Sequence, residues 1–304
     1  MKQIIQTEWE LFITSDHQKL YHSFYKKNQP QQRPLLVFCN GIGSSNLAWK
    51  YVMDELESHF SILQIAYRGT IEHTENIDLR LQRHAQDVFE LVQEKNWVVF
   101  GIVGWSMGVQ VALHLATLVH PKVMVLLGGA HKNVTSLILD RSYMWTICKP
   151  IVKLGTKQGK WLKRVGNWIS ESPTFRSSFV HVGVKLGLMG SNVHHQHFVD
   201  LLAEWFEMDL RVASQQLLEL DNDIGVSDVS ALQVDSLIIC GGKDVLVHQS
   251  LSQKLANELL YGIAWHFDTS GHFILLEHRN IEGNIKKWLL EKLAKHRSHI
   301  IKMS

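Results

Sequence analysis

The sequence predicts an α/β fold: a mostly parallel central sheet flanked by helices, with a helical segment inserted before the last two strands. Three observations carry this. Short runs at 35–39, 62–66, 97–103, 123–127, 237–240 and 263–267 are rich in β-branched or aromatic residues and nearly all apolar. Strands buried on both faces of a parallel sheet have this composition. Helical spacing fills most of the intervals between them, the alternation expected of right-handed crossovers. The alternation lapses between residues 131 and 230, where many leucines and Trp145, Trp161, Trp168 and Trp205 occur without a strand-like run.

Taken in order, residues 3–14 and 19–25 read as antiparallel strands on one edge. The strand at 35–39 leads into a glycine-rich loop and a helix over 48–58. After the strand at 62–66, a helix over 79–94 places Leu81, Ala85, Val88 and Val92 on one stripe. The strand at 97–103 runs into a helix over 107–119, and that at 123–127 precedes the insertion. Beyond it, a helix over 249–260 joins the last two strands. This divides the chain into a core, 1–130 with 231–304, and an inserted helical cap, 131–230.

Composition agrees with a globular chain and excludes several alternatives. Of the 304 residues, 45% are hydrophobic and 20% charged, too apolar for disorder. A net charge of +2 gives no whole-chain field for nucleic acid. Three well-separated cysteines, Cys39, Cys148 and Cys240, make no disulfide framework and no C-x-x-C pair. No window approaches 18 uninterrupted apolar residues, and Glu8, Glu10 and Asp16 break the opening segment, so a cytoplasmic address is expected.

Gly104-Trp105-Ser106-Met107-Gly108 lies between a strand and a helix, the setting of a nucleophile elbow. So sharp a turn brings backbones together where a Cβ would clash, which explains the glycines. Ser106 is then lifted above the sheet edge, beside the first N–H groups of the helix. A serine hydroxyl needs a base and a group to orient it. Asp244 follows the strand at 237–240, and His272 follows the strand at 263–267, so both belong to the same rim. The order Ser106, Asp244, His272 is the one associated with this elbow. Upstream, Asn40-Gly41-Ile42-Gly43 can offer the backbone N–H of Ile42, with that of Met107 as its partner in an oxyanion hole. Asn40, Gly41, Trp105 and His131 flank these positions and are candidate substrate contacts.

Together, N-G-I-G, G-W-S-M-G, G-G-K-D and S-G-H at successive strand ends resemble the α/β-hydrolase superfamily. The likeness covers about 35–130 and 235–295, and 131–230 is similar to that superfamily's variable cap. Two positions depart from its common pattern: Asn40-Gly41 where His-Gly is frequent, and Val247-His248 where Val-Pro is frequent. The N-G-I-G loop is similar to that of intracellular polyhydroxyalkanoate depolymerases.

The resemblance implies a cofactor-free serine hydrolase acting on a small-molecule carboxylic ester with an apolar acyl or alcohol part, thioesters and lactones being open to the same chemistry. The alternatives are a C–C bond hydrolase, a haloperoxidase or perhydrolase of the same fold, and a non-catalytic binding module. His194-His195-x-His197 has no carboxylate or cysteine partner at ligand spacing, so no metal site is expected. Residues 149–164 interleave basic and apolar side chains. A solvated cap face with its apolar side on the core is the expectation there, and contact with a membrane surface the alternative. Oligomeric state leaves no mark in the sequence.

Overall fold

A computed structural model of the chain describes residues 8–27, 33–43, 46–72, 77–157, 159–185, 189–190, 193–278 and 280–303. From the N-terminus come β1 (Glu10–Ile13), β2 (Lys19–Phe24), β3 (Leu35–Cys39), α1 (Lys50–Leu56), β4 (Ser61–Ala66) and α2 (Leu81–Glu94). Next follow β5 (Val99–Trp105), α3 (Met107–Val119) and β6 (Val123–Leu127). Helices α4 (Met144–Gly155), α5 (Gly159–Glu171), α6 (Pro173–Lys185), α7 (His195–Glu207) and α8 (Leu210–Asn222) form the insertion. The chain ends with β7 (Asp235–Gly241), α9 (Gln249–Glu258), β8 (Gly262–Phe267), α10 (Ile274–Glu277) and α11 (Ile281–Met303). Residues 3–7 of the first expected strand lie outside the described residues.

The eight strands form one sheet in the order β1-β2-β4-β3-β5-β6-β7-β8. β1 and β2 pair antiparallel at the edge, β2 also runs antiparallel to β4, and every other pairing is parallel. The expected α/β class and its antiparallel edge are therefore present. Alternation along β3 explains how the sheet is buried. Leu35, Val37 and Cys39 enter one core cluster with α2, α3 and α9, while Leu36 and Phe38 enter the other with α1 and α11. On α2, the stripe of Leu81, Ala85, Val88 and Val92 is buried as its spacing requires. From β3 the chain crosses outward to β4 and then returns to β5 on the other side. The loops after β3 and β5 consequently diverge at a topological switch point, where open α/β sheets place ligands.

Within the insertion, α4 packs on α8, α5 on α7 and α8, and α6 on α7. Phe198, Leu201 and Leu202 of α7 join the second core cluster, so α7 is the seam between insertion and sheet. The return path is pinned at Asp223, whose carboxylate accepts from Gln82 Nε2 at 2.5 Å and Gln110 Nε2 at 2.6 Å, on α2 and α3.

His84 of α2 sets an acid limit on this core. It is 1% exposed, stacks on Tyr67 at 4.6 Å, and neither ring nitrogen has a hydrogen-bond partner. Burial, reinforced by the nearby Arg68 charge, pushes its pKa down to about 3. Between its unfolded value near 6.5 and about 3, the unfolded chain binds the extra proton. The stability His84 contributes is thus complete above pH 6.5 and is lost as pH falls below it, up to roughly 5 kcal/mol at the acid end. Thermal melts from pH 7 to 4 should show His84→Leu losing less stability than wild type. Parallel curves for the two proteins would refute this.

Candidate active site

Ser106 occupies the turn between β5 and α3 with φ 56° and ψ −123°, a combination that strains any residue bearing a Cβ. The turn is held from both sides. Ser106 N–H donates to the Leu127 carbonyl at 2.9 Å, and its own carbonyl accepts from Val109 N–H at 3.0 Å. A Cβ on Gly104 would lie 2.6 Å from the Gly108 carbonyl oxygen, and one on Gly108 would lie 2.0 Å from that of Cys39. The two glycines are therefore what lets β3, β5 and α3 meet.

Asp244 sits just past β7 and is almost wholly buried. Its Oδ1 accepts from the N–H groups of Leu246 (2.9 Å) and Val247 (2.8 Å), which leaves Oδ2 facing His272 Nδ1 at 2.8 Å. His272, in the loop after β8, directs Nε2 to Ser106 Oγ at 2.9 Å. Hydroxyl, imidazole and carboxylate thus stand in series across three loops of one sheet edge. Gly128 (φ +53°) closes the site behind them: a Cβ there would lie 3.4 Å from both Asp244 Oδ2 and His272 Nδ1.

Two side chains brace the histidine loop. Trp105 is buried, and its Nε1–H donates to the His272 carbonyl at 3.1 Å. Glu277 is also buried, accepts from the Gly271 N–H, and has its carboxyl pKa raised by that burial.

The glycine-rich loop abuts the serine. A Cβ on Gly41 would lie 3.2 Å from Ser106 Cβ. Ile42 is half-buried beside it, and Met107 is the buried first residue of α3. Trp205 of α7 covers the next residue, since a Cβ on Gly43 would meet its indole at 2.6 Å. The Trp205 ring stacks on Trp105 at 6.3 Å and lies 5.5 Å from Phe273. Among the described residues, its buried Nε1–H has no acceptor.

Two candidate substrate contacts are engaged elsewhere. Asn40 turns inward: its Nδ2 donates to the Ile65 carbonyl at 3.1 Å, and its Oδ1 accepts from Trp49 Nε1 at 2.6 Å. It ties the ends of β3 and β4 together, with both polar atoms used. His131 is buried with Nε2 3.2 Å from Glu258 on α9, and desolvation lowers its pKa. In the histidine cluster, His195 Nε2 meets Ser177 Oγ at 2.9 Å and His197 Nε2 meets the Leu47 carbonyl at 2.7 Å. Among the described residues, no group of three or more His, Cys, Asp or Glu is arranged to hold a metal ion.

Phe273 and Glu277 were not singled out from sequence, and Trp205 was named only as one of the insertion's tryptophans. Tryptophan in a leucine-rich helix has the same signature whether it faces the core or a site. A glutamate five residues after a histidine carries no pattern of its own.

The sequence model of the alpha/beta hydrolase family matches residues 36–281. The chain belongs to the alpha/beta hydrolase family. Solved structures agree in fold. An esterase from Exiguobacterium antarcticum is similar at 16% identity and TM-score 0.69, over 92% of this chain and 97% of its own. A hydrolase from Pseudomonas aeruginosa has 16% identity and TM-score 0.70, over 94% and 98%. The enol-lactonase from Burkholderia xenovorans has 14% identity and TM-score 0.69, over 94% and 100%. The α/β-hydrolase resemblance read from the motifs is thus the chain's actual family. Among the described residues of this alpha/beta hydrolase, no helix is long and apolar enough to cross a membrane.

Proposed function

We propose that this alpha/beta hydrolase is a serine esterase, cleaving carboxylic esters through an acyl-enzyme formed on Ser106. The observation that carries the proposal is the unbroken series Ser106 Oγ, His272 Nε2, His272 Nδ1 and Asp244 Oδ2, with contacts of 2.9 and 2.8 Å. Ser106 attacks the ester carbonyl as His272 Nε2 takes its proton. Asp244 holds the tautomer that leaves Nε2 free and stabilises the imidazolium that forms. The N–H groups of Ile42 and Met107 receive the oxyanion, each donor being worth about 3 kcal/mol of transition-state stabilisation. His272 then gives the proton to the departing alkoxide. In the second half-reaction it activates a water that releases the acid and frees Ser106. The mechanism needs a neutral imidazole, because only that form can take the serine proton.

Helices α4–α8 act as a cap on the site in this proposal. The aromatic wall of Trp105, Trp205 and Phe273 favours substrates with an apolar portion. The unsatisfied Trp205 N–H supplies one donor to an ester oxygen, because a buried indole N–H without a partner gains most from meeting one.

A fluorophosphonate probe and a panel of p-nitrophenyl esters, acetyl to palmitoyl, test the proposal on wild type and Ser106→Ala together. The expected result is labelling and turnover by wild type, both lost in the variant. A folded wild type that takes no label and turns over no ester would make the chain a binding module instead. The enol-lactonase and esterase names of its structural relatives make lactones the first addition to the panel.

A further inference from the structure

The outer face of the insertion carries exposed apolar side chains beside the basic ones. Residues 149–164 fall on two helices, α4 ending at Gly155 and α5 starting at Gly159. α4 packs on α8, α5 on α7 and α8, and α6 on α7, while α7 and Val180 of α6 reach the core cluster against the sheet. The remaining sides of α4, α5 and α6 point outward.

Those outward sides are apolar. On α4, Ile147, Ile151 and Leu154 follow an i, i+4, i+7 spacing and are all exposed, Ile151 by 70%. On α5, Trp161 (61%) and Trp168 (55%) are two turns apart and exposed. Trp168 contacts Phe175 of α6 with ring centroids 4.8 Å apart, so the apolar strip continues across the helix boundary. Contiguous apolar surface of this kind marks an interaction site.

Charge identifies what it meets. Residues 141–185 hold nine Lys and Arg against a single acidic residue, Glu171, although Lys149 pairs with Asp221 and Arg176 is buried against backbone carbonyls; the whole chain nets only +2. Lys153 of α4, Lys163 and Arg164 of α5, and Lys157 in the turn between them are exposed. Exposed tryptophan and isoleucine flanked by unopposed lysines is the composition of helices that lie in a lipid interface. Lysine stems can rest on the apolar layer while their ammonium groups reach headgroups.

We propose that α4–α6 form a docking face for an anionic lipid bilayer, on which the protein lies without spanning it. Docking there sets α7, with Trp205 and the Ser106 site beneath it, one helix layer from the lipid. The face itself is independent of the esterase proposal.

Sedimentation of the full-length protein with vesicles of phosphatidylcholine alone, or mixed with phosphatidylglycerol, tests this at low and high salt. Wild type should pellet with the mixed vesicles at low salt and bind about tenfold more weakly to neutral vesicles or at high salt. Ile151→Asp with Trp161→Asp, and separately Lys153→Glu with Lys157→Glu, should each weaken binding about tenfold or more. Melting temperature and hydrolysis of a soluble ester should be unchanged in both, because the altered residues are exposed and distant from Ser106. Wild type left in the supernatant with anionic vesicles overturns the proposal, as does an apolar double variant that pellets like wild type. A wild-type dimer that Ile151→Asp converts to a monomer, with no vesicle binding, would assign the face to a second copy of this chain.

Discussion

Ser106→Ala should lower kcat on a p-nitrophenyl ester by about 10⁵- to 10⁶-fold while the fold persists. The residual rate would come from the oxyanion donors and substrate positioning, which the substitution leaves intact. His272→Ala should fall to a similar floor, and the double variant hardly lower, because hydroxyl and imidazole act as one unit. The backbone adds a second readout. At φ 56° and ψ −123° a residue with a Cβ is strained, and glycine is not. Ser106→Gly should therefore be as inactive as Ser106→Ala yet melt at a higher temperature, by about 1 kcal/mol of added stability. A Ser106→Ala rate within tenfold of wild type would remove Ser106 from the chemistry.

Asp244→Asn should cost about 10⁴-fold in kcat with little loss of stability. The carboxylate divides its work: Oδ1 receives the Leu246 and Val247 N–H groups, and Oδ2 faces His272 Nδ1. An asparagine can keep its oxygen on the two backbone donors, which preserves the loop. Its NH₂ then points at Nδ1 and forces the imidazole proton onto Nε2. In that tautomer Nε2 donates to Ser106 Oγ and cannot accept its proton. Asp244→Ala should lose comparable activity and also stability, because the two buried donors are left unpaired. Equal thermal melts for the Asn and Ala variants would contradict this division of roles.

The strands were legible because both faces of this sheet are buried. An apolar run such as 123–127 reads as a strand whether or not its neighbours are known, and β6 spans Val123–Leu127. Boundaries moved where apolar residues alone could not mark the end. β7 extends to Asp235 and Gly241 because backbone pairing with β6 and β8 continues past the hydrophobic run. The positions of Ser106, Asp244 and His272 could be read because each directly follows a strand of a parallel sheet, so chain order already puts them on one rim. Asn40 and His131 occupy the same rim in sequence, but their side chains turn to Trp49 and Glu258. Backbone position is legible from pattern, whereas side-chain direction depends on what lies across the gap.

By itself the sequence determined the class of fold, the family, and the loops that bring Ser106, His272 and Asp244 to one edge. The fold class and the loops follow from local periodicity and turn chemistry, which a chain carries wherever its other parts go, and the family from the resemblance of its loop motifs. Only the tertiary structure decided that Trp205 covers the glycine-rich loop, that Glu277 stands behind the histidine loop, and that the apolar sides of α4 and α5 face outward. An amphipathic helix announces that it has two sides. Which side is covered is fixed by the neighbours, and here α4 packs on α8, and α5 on α7 and α8.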